Sequence, residues 1–374
     1  MPERVLSKDE LKDMLVGVGI LGTGGGGDPE IFGRPLVEWD TEKGREYRII
    51  DPPDISDDAF VVCGGYGGSV KTIVSALKRL DKWESKFQLL EALRIMESIS
   101  NKKADYVVPF ELGGLNTPVI LSLAARAGIV AVDGDGLGRA APETQMSSFF
   151  GHGISLTPMP FVDMEGNVFV VRQAVKPSYP DEMMRAAIVL NGGSGANTHY
   201  PMSGRQLKES VVPNTISLSI DVGRLIREAL EAKKSPVEAF AQAVKGWELF
   251  RGAVQTIRGE DKGGFYHVKA TVKGTDRYKG KKLEVIFKNE TMMARLDKKL
   301  VSVFPDLLCM LDPRSGQGIM TANLRTGTKI VFVGAPAHGR LRECLKTEGG
   351  RQAFDAVRYG YPNIRYRQIE TLRP

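Results

Sequence analysis

The residues best suited to chemistry fall into two groups. One is the glycine run Gly22-Thr23-Gly24-Gly25-Gly26-Gly27-Asp28, and the other is a set of carboxylates in short polar loops, Glu111, Asp133 and Asp135. Consecutive glycines let backbone N–H groups converge on one ligand atom. Asp28-Pro29 also has the form of a helix start, whose positive end favours a carboxylate, a phosphate or a developing oxyanion. The run satisfies G-x-G-x-x-G through Gly22, Gly24 and Gly27, yet it follows a helix where a dinucleotide fingerprint follows a strand, so no nucleotide cofactor is expected. Asp133 and Asp135, one residue apart, face the same way on an extended segment, and Glu111 opens the loop of a neighbouring strand. Together they suit a general base or the ligands of a divalent metal, for which Asp133 and Asp135 are the candidates. Taken singly, each aspartate has a plainer role, Asp133 as the cap of the next turn and Asp135 as a solvated group. Asn116, Arg139, Glu143 and Gln145 lie close by in sequence. With Thr23, Gly24, Gly25, Gly26, Gly27 and Asp28 they make up the expected anion- and substrate-binding set.

The elements that must position these groups read as follows. Ser7-Lys-Asp-Glu10 has capping-box spacing, and Leu11, Met14, Leu15, Val18 and Leu21 recur at helical steps, so a helix leads into the glycine run. A short helix is expected from Pro29, limited by Pro35. Ala59–Cys63, Tyr106–Phe110 and Ile129–Val132 are continuous apolar runs suited to strands buried on both faces. Helical segments separate them, which predicts a parallel sheet with right-handed crossovers. Cys63–Gly68, Glu111–Asn116 and Asp133–Arg139 then become loops at the carboxyl ends of those strands, where open α/β sheets bind ligands. A hairpin around Glu165-Gly-Asn167 marks a domain border near residue 175. Beyond it come helices over 181–190 and 216–230 and one capped at Ser235, followed by short strands over 253–257, 265–272, 283–287, 307–311 and 329–333. The predicted fold is an α/β domain over 1–175, carrying the glycine and acidic loops, then a helical connection and a mostly β domain, a small barrel or sandwich, over 176–374.

Composition narrows the classes. Three cysteines, Cys63, Cys309 and Cys344, give neither a disulfide framework nor a C-x-x-C pair, and the first ten residues lack a charged-then-apolar leader, so a reduced cytoplasmic protein is expected. The net charge of +6 is spread among acidic residues without a basic stripe, and no apolar run reaches membrane-span length, so neither nucleic acid nor membrane is an expected partner. Cys63 at a strand end is a candidate nucleophile, against the common fate of a buried thiol. His152, His199, His267 and His338 show no metal-ligand spacing.

The segments GTGGGGDP (22–29), ELGGLN (111–116) and VDGDGLGRAAPETQMSSF (132–149) resemble the thiohydantoin desulfurase-like family, whose genes are found near those of hydantoinase/oxoprolinase-type enzymes. The similarity continues through PNTISLSIDVGRLIREA (213–229), KNETMMA (288–294), PDLLCMLDPRSG (305–316) and VGAPAHG (333–339), nearly the whole chain. The resemblance implies an N-terminal α/β domain joined to a mostly β C-terminal domain. It also implies hydrolytic removal of sulfur from a thiohydantoin or its S-methyl derivative. The loop from Cys63 to Ser69 departs from the family's expected Pro- and Thr-containing sequence, which bears on the substrate more than on the fold.

Two functions are therefore expected. The first is a hydrolase, a homo-oligomer acting on a small heterocyclic imide or thioimide, in which Asp133, Asp135 or Glu111 activates water and the glycine-loop amides hold the anionic intermediate. The alternative is a non-catalytic subunit that binds a small anion or docks on a hydantoinase/oxoprolinase-like partner. Closely spaced carboxylates repel an anion and favour the enzyme.

Overall fold

The computed structural model describes residues 3–69, 80–191 and 193–373. In chain order its first strands are β1 (Arg4–Val5), β2 (Arg48–Ile50), β3 (Phe60–Gly68), β4 (Tyr106–Pro109), β5 (Val130–Val132), β6 (Gly134–Asp135), β7 (Met159–Asp163), β8 (Val168–Val171), β9 (Ser194–Ser203) and β10 (Val212–Pro213). Eight of these form one sheet in the order β1-β2-β5-β4-β3-β9-β7-β8, while β6 pairs with β10. The neighbours β2, β5, β4 and β3 are parallel, as the apolar runs predict, and the helices Gln88–Ser100 and Asn116–Ala127 make the crossovers. The other half is antiparallel. β9 lies against β3 and the β7–β8 hairpin lies against β9, so the sheet draws strands from both sides of residue 175.

The β9 sequence SGANTHYPMS lacks the apolar run of its neighbours, yet it is buried over most of its length because both edges are paired. Its presence changes the reading of Cys63–Gly68. The sequence predicts a loop there, but β3 runs through to Gly68 because Ser194–Thr198 supplies partners for Gly64–Gly68.

The N-terminal helix spans Lys8–Leu21, with the full capping box between Ser7 and Glu10. It packs on the helix Thr215–Glu231 at van der Waals limits: a Cβ on Gly17 would lie 2.0 Å from Ser219 O, and one on Gly223 would lie 1.9 Å from Asp13 O. Beyond the glycine run, Asp28 does cap the turn Pro29–Gly33, accepting from the amide of Glu30 at 2.9 Å. A second helix, Arg34–Glu42, follows at once. The sequence predicts that Pro35 limits this region. It sits instead in the first turn of the new helix, where a missing N–H costs nothing.

The second sheet has seven antiparallel strands: β11 (Trp247–Lys262), β12 (Phe265–Gly274), β13 (Lys282–Lys288), β14 (Glu290–Leu296), β15 (Lys299–Val303), β16 (Leu307–Leu311) and β17 (Lys329–Ala335), ordered β15-β14-β13-β12-β11-β17-β16. It curls as a half-barrel. The small barrel or sandwich that the sequence predicts is met in part: among the described residues the sheet stays open, with β15 and β16 as its two edges. The domains share a core: Leu307, Cys309, Leu311, Val331 and Val333 from β16 and β17 pack in one cluster with Met14, Val18, Leu21, Ile216 and Ile220.

Candidate functional site

The carboxyl ends of β3 and β4, the glycine run and the start of β14 enclose a cavity with about 50 Å3 of space open to water. This is room for a few waters. Its walls include Gly26, Gly27, Phe110, Glu111, Asn116, Arg185, Asn197, His199, Asn289 and Glu290. The site is therefore made by both domains.

Glu111 sits where β4 ends and is buried. Its Oε1 accepts from Asn116 Nδ2 at 2.8 Å, and its Oε2 accepts from the amide of Ala141 at 2.7 Å. Burial pushes its carboxyl up to about 7, while the two donors act the other way. Asn116 opens the helix Asn116–Ala127 and also clips β3, accepting from Tyr66 N at 2.9 Å and donating to Tyr66 O at 3.3 Å. Facing this group is Glu290, only 2% exposed, with Oε2 lacking any hydrogen-bond partner among the described residues. Burial first, then the nearby charge of Glu111, pushes the Glu290 carboxyl far above its ordinary range. Two carboxyls in one closed site cannot both ionise cheaply, so Glu290 is the protonated member.

The opposite wall comes from β9, whose alternation puts Asn197 and His199 on one face. Asn197 Oδ1 lies 2.6 Å from His199 Nδ1, and Cys63 Sγ lies 3.5 Å from His199 Nε2. The amide oxygen only accepts, so Nδ1 carries the ring proton and the thiol donates to Nε2. Burial drives the His199 pKa down to about 3 and holds the ring neutral. Cys63 is fully buried, and burial together with the charges of Asp135 and Glu111 pushes its thiol well up, the opposite of a thiolate nucleophile.

The other predicted site residues divide clearly. Gly26 and Gly27 line the cavity, and their amides make no hydrogen bond among the described residues. Gly25 makes room for Glu290, since a Cβ there would lie 1.8 Å from Glu290 Oε1, and Gly24 packs on Thr321. The helix-start anion wall does not form, because the turn after Asp28 is capped by Asp28 itself, which also takes Asn323 Nδ2 at 3.0 Å. Asp133 and Asp135 line no part of the cavity. Asp133 caps the helix Thr215–Glu231, its Oδ1 accepting from Ile216 N at 3.0 Å and Ser217 N at 3.1 Å and its Oδ2 from Ser217 Oγ at 2.5 Å. Asp135 is buried and takes the amides of Leu137 and Gly138 at 3.0 and 2.8 Å; burial lifts it to about 8. Their oxygens are committed to backbone amides and, at Asp133 Oδ2, to the Ser217 hydroxyl, so the expectation that they activate water or ligate a metal is replaced by two caps. Among the described residues no three His, Cys, Asp or Glu side chains gather as a metal site.

Arg139 is also structural. It is fully buried and ties the domains together, donating to Thr23 Oγ1 at 2.9 Å, Thr291 O at 2.7 Å and Asp306 O at 2.7 Å, with its plane over Phe304. Glu143 faces an outer groove beside the cavity, paired with Lys288 at 2.5 Å and with Arg358, and it holds Gln145 Nε2 at 2.5 Å. Arg185 borders both spaces; it donates to Gly68 O, Gly264 O and Pro142 O, and so joins the tip of the β11–β12 hairpin to the end of β3.

Sequence reasoning missed Glu290, Asn289, Arg185, Asn197 and His199. One signal was available. Lys288-Asn289-Glu290 interrupts a strand pattern with three polar residues, and Asn289 has a positive φ of 58°, the kink that separates β13 from β14.

Among the described residues no helix is long and apolar enough to cross a membrane. A crystal structure of a protein from Chromobacterium violaceum matches with a TM-score of 0.78 over 98% of this chain and 100% of that one, at 22% identity, and so shares the fold. No curated protein matches the chain. The model of the S-Me-THD-like N-terminal domain matches residues 9–173, and that of the S-Me-THD-like C-terminal domain matches residues 176–369. With both halves matched in order, the chain belongs to the S-Me-THD-like family.

Proposed function

We propose that the cavity between the domains hydrolyses a small heterocyclic imide or thioimide of the thiohydantoin type, with Glu111 as base and Glu290 as acid. The observation that carries this reading is the pair itself: a carboxyl with two N–H donors facing a buried one with a free oxygen. Environments that push two titratable groups apart assign acid and base. Glu111 keeps lone pairs to accept a proton from water. Glu290 donates its proton to the ring nitrogen, water adds to the carbon between the two nitrogens, and Glu111 takes the water proton. Collapse breaks the C–S bond: the added hydroxyl returns its proton to Glu290 as the C=O forms, and the sulfur takes the proton held by Glu111, leaving as methanethiol from the S-methyl derivative or as hydrogen sulfide from the thiol tautomer of a thiohydantoin. The free amides of Gly26 and Gly27 supply donors toward developing negative charge.

The family description supports the substrate type. The test is incubation of the protein with hydantoins, thiohydantoins and S-methyl thiohydantoins, reading released sulfide or methanethiol and the mass of the ring product. Turnover of a thiohydantoin is the expected result. No turnover across the panel, with co-purification of a hydantoinase-like protein, would favour the non-catalytic accessory subunit instead.

A further inference from the structure

We propose that the Glu111–Glu290 pair makes this cavity a receptor for a planar amidinium or guanidinium cation, a ligand class distinct from the neutral imide product; this rests on the reading of the same cavity as the ligand site.

Three observations support the assignment. Glu290 Oε2 is buried without a partner, and once the carboxyl gives up its proton it is an acceptor open to an N–H donor. Glu111 and Glu290 both line the same small space, so a flat ligand with N–H groups on two edges can reach both carboxyls. The nearby protein cations do not fill that role. Arg139 is spent on Thr23, Thr291 O and Asp306 O and Lys288 on Glu143, while Arg185 gives its two terminal nitrogens to the carbonyls of Gly68, Gly264 and Pro142 and its Nε, without a hydrogen-bond partner, lies 3.6 Å from Asp181 Oδ2. Both arginines still draw the pair toward ionisation from a distance.

The remaining groups around the pair fit an organic cation better than a metal ion. His199 is neutral and has both nitrogens occupied, Cys63 is a thiol, and Asp135 holds backbone amides. Among the described residues no three His, Cys, Asp or Glu side chains gather as they do around a metal ion. A delocalised planar cation needs only two directed acceptors. When it binds, Glu290 gives up its proton to solvent, so binding releases a proton and tightens as pH rises.

The probe is the cyclic guanidinium of aminoimidazoline, compared with its neutral isostere imidazolidinone, by calorimetry on the full chain in two buffers of different ionisation enthalpy. The cation is expected to bind about tenfold or more tighter than the isostere, with proton release. Glu290→Gln is expected to bring the two ligands to within about twofold, and Glu111→Gln serves as a second variant should the first fail to fold. Equal or tighter binding of imidazolidinone, or no binding of the cation, overturns the inference. Thiohydantoin turnover measured on the same preparation shows separately whether the hydrolase reading survives.

Discussion

Asn116 Nδ2 lies 2.8 Å from Glu111 Oε1 while Asn116 Oδ1 takes the amide of Tyr66 at 2.9 Å, so one side chain sets both the Glu111 carboxyl and the glycine-rich end of β3. Asn116→Asp would place a second carboxylate against Glu111 and lose the donor. Activity is expected to fall about a hundredfold, with the pH of half-activity moved upward, since like charge raises the Glu111 pKa. A pH–rate profile of the variant checks the direction.

Gly25 leaves the space that Glu290 occupies. An alanine there would put its Cβ 1.8 Å from Glu290 Oε1. Gly25→Ala is expected to displace that carboxyl, abolish turnover and cost about 1–3 kcal/mol of stability, read by chemical denaturation beside an activity assay. Normal turnover with an unchanged melting temperature would show that Glu290 is not confined by the glycine run.

Asp133 caps a helix, and its removal is a matter of stability. Asp133→Ala is expected to lose about 1–2 kcal/mol from the cap while the protein that remains folded keeps its specific activity. A variant that is stable but inactive would return Asp133 to the chemistry.

Asp135 gives the folded state a pH signature. Its folded pKa of about 8 lies above the ordinary 3.8, so the protonated form is favoured in the fold; the stabilisation is complete below about 4 and is lost as pH rises toward 8. Asp135→Asn keeps an oxygen for the amides of Leu137 and Gly138 and removes the titration. Its melting temperature is expected to change less than that of the parent between pH 4 and pH 8. Parallel curves for the two proteins would contradict this.

Much of the architecture was legible in local pattern. The Ser7 capping box, the three β-branched runs and the Asp28-Pro29 turn could be read because each rests on residues adjacent in sequence. Glu111 and Asn116 could be singled out from the end of a parallel strand, and Gly26 and Gly27 from the glycine run; all four line one cavity. β9 was not legible: its polar, glycine-containing sequence is buried by strand pairing on both edges rather than by side-chain hydrophobicity. Asp133 and Asp135 misled for a related reason. Their partners are amides, some of them far along the chain, and nothing in Asp-Gly-Asp tells a cap from a base. Glu290 lies in the other domain and reaches the site only when the curled sheet docks, which local sequence does not encode.

The most direct measurement is thiol release from an S-methyl thiohydantoin by the parent protein and by Glu290→Gln, alongside their melting temperatures. Replacing an unpaired buried carboxyl by an amide is expected to leave melting unchanged or raised, and to slow turnover by about a hundredfold or more. A Glu290→Gln protein that melts normally and turns over at the parent rate would contradict the assignment of the cavity as the site of reaction.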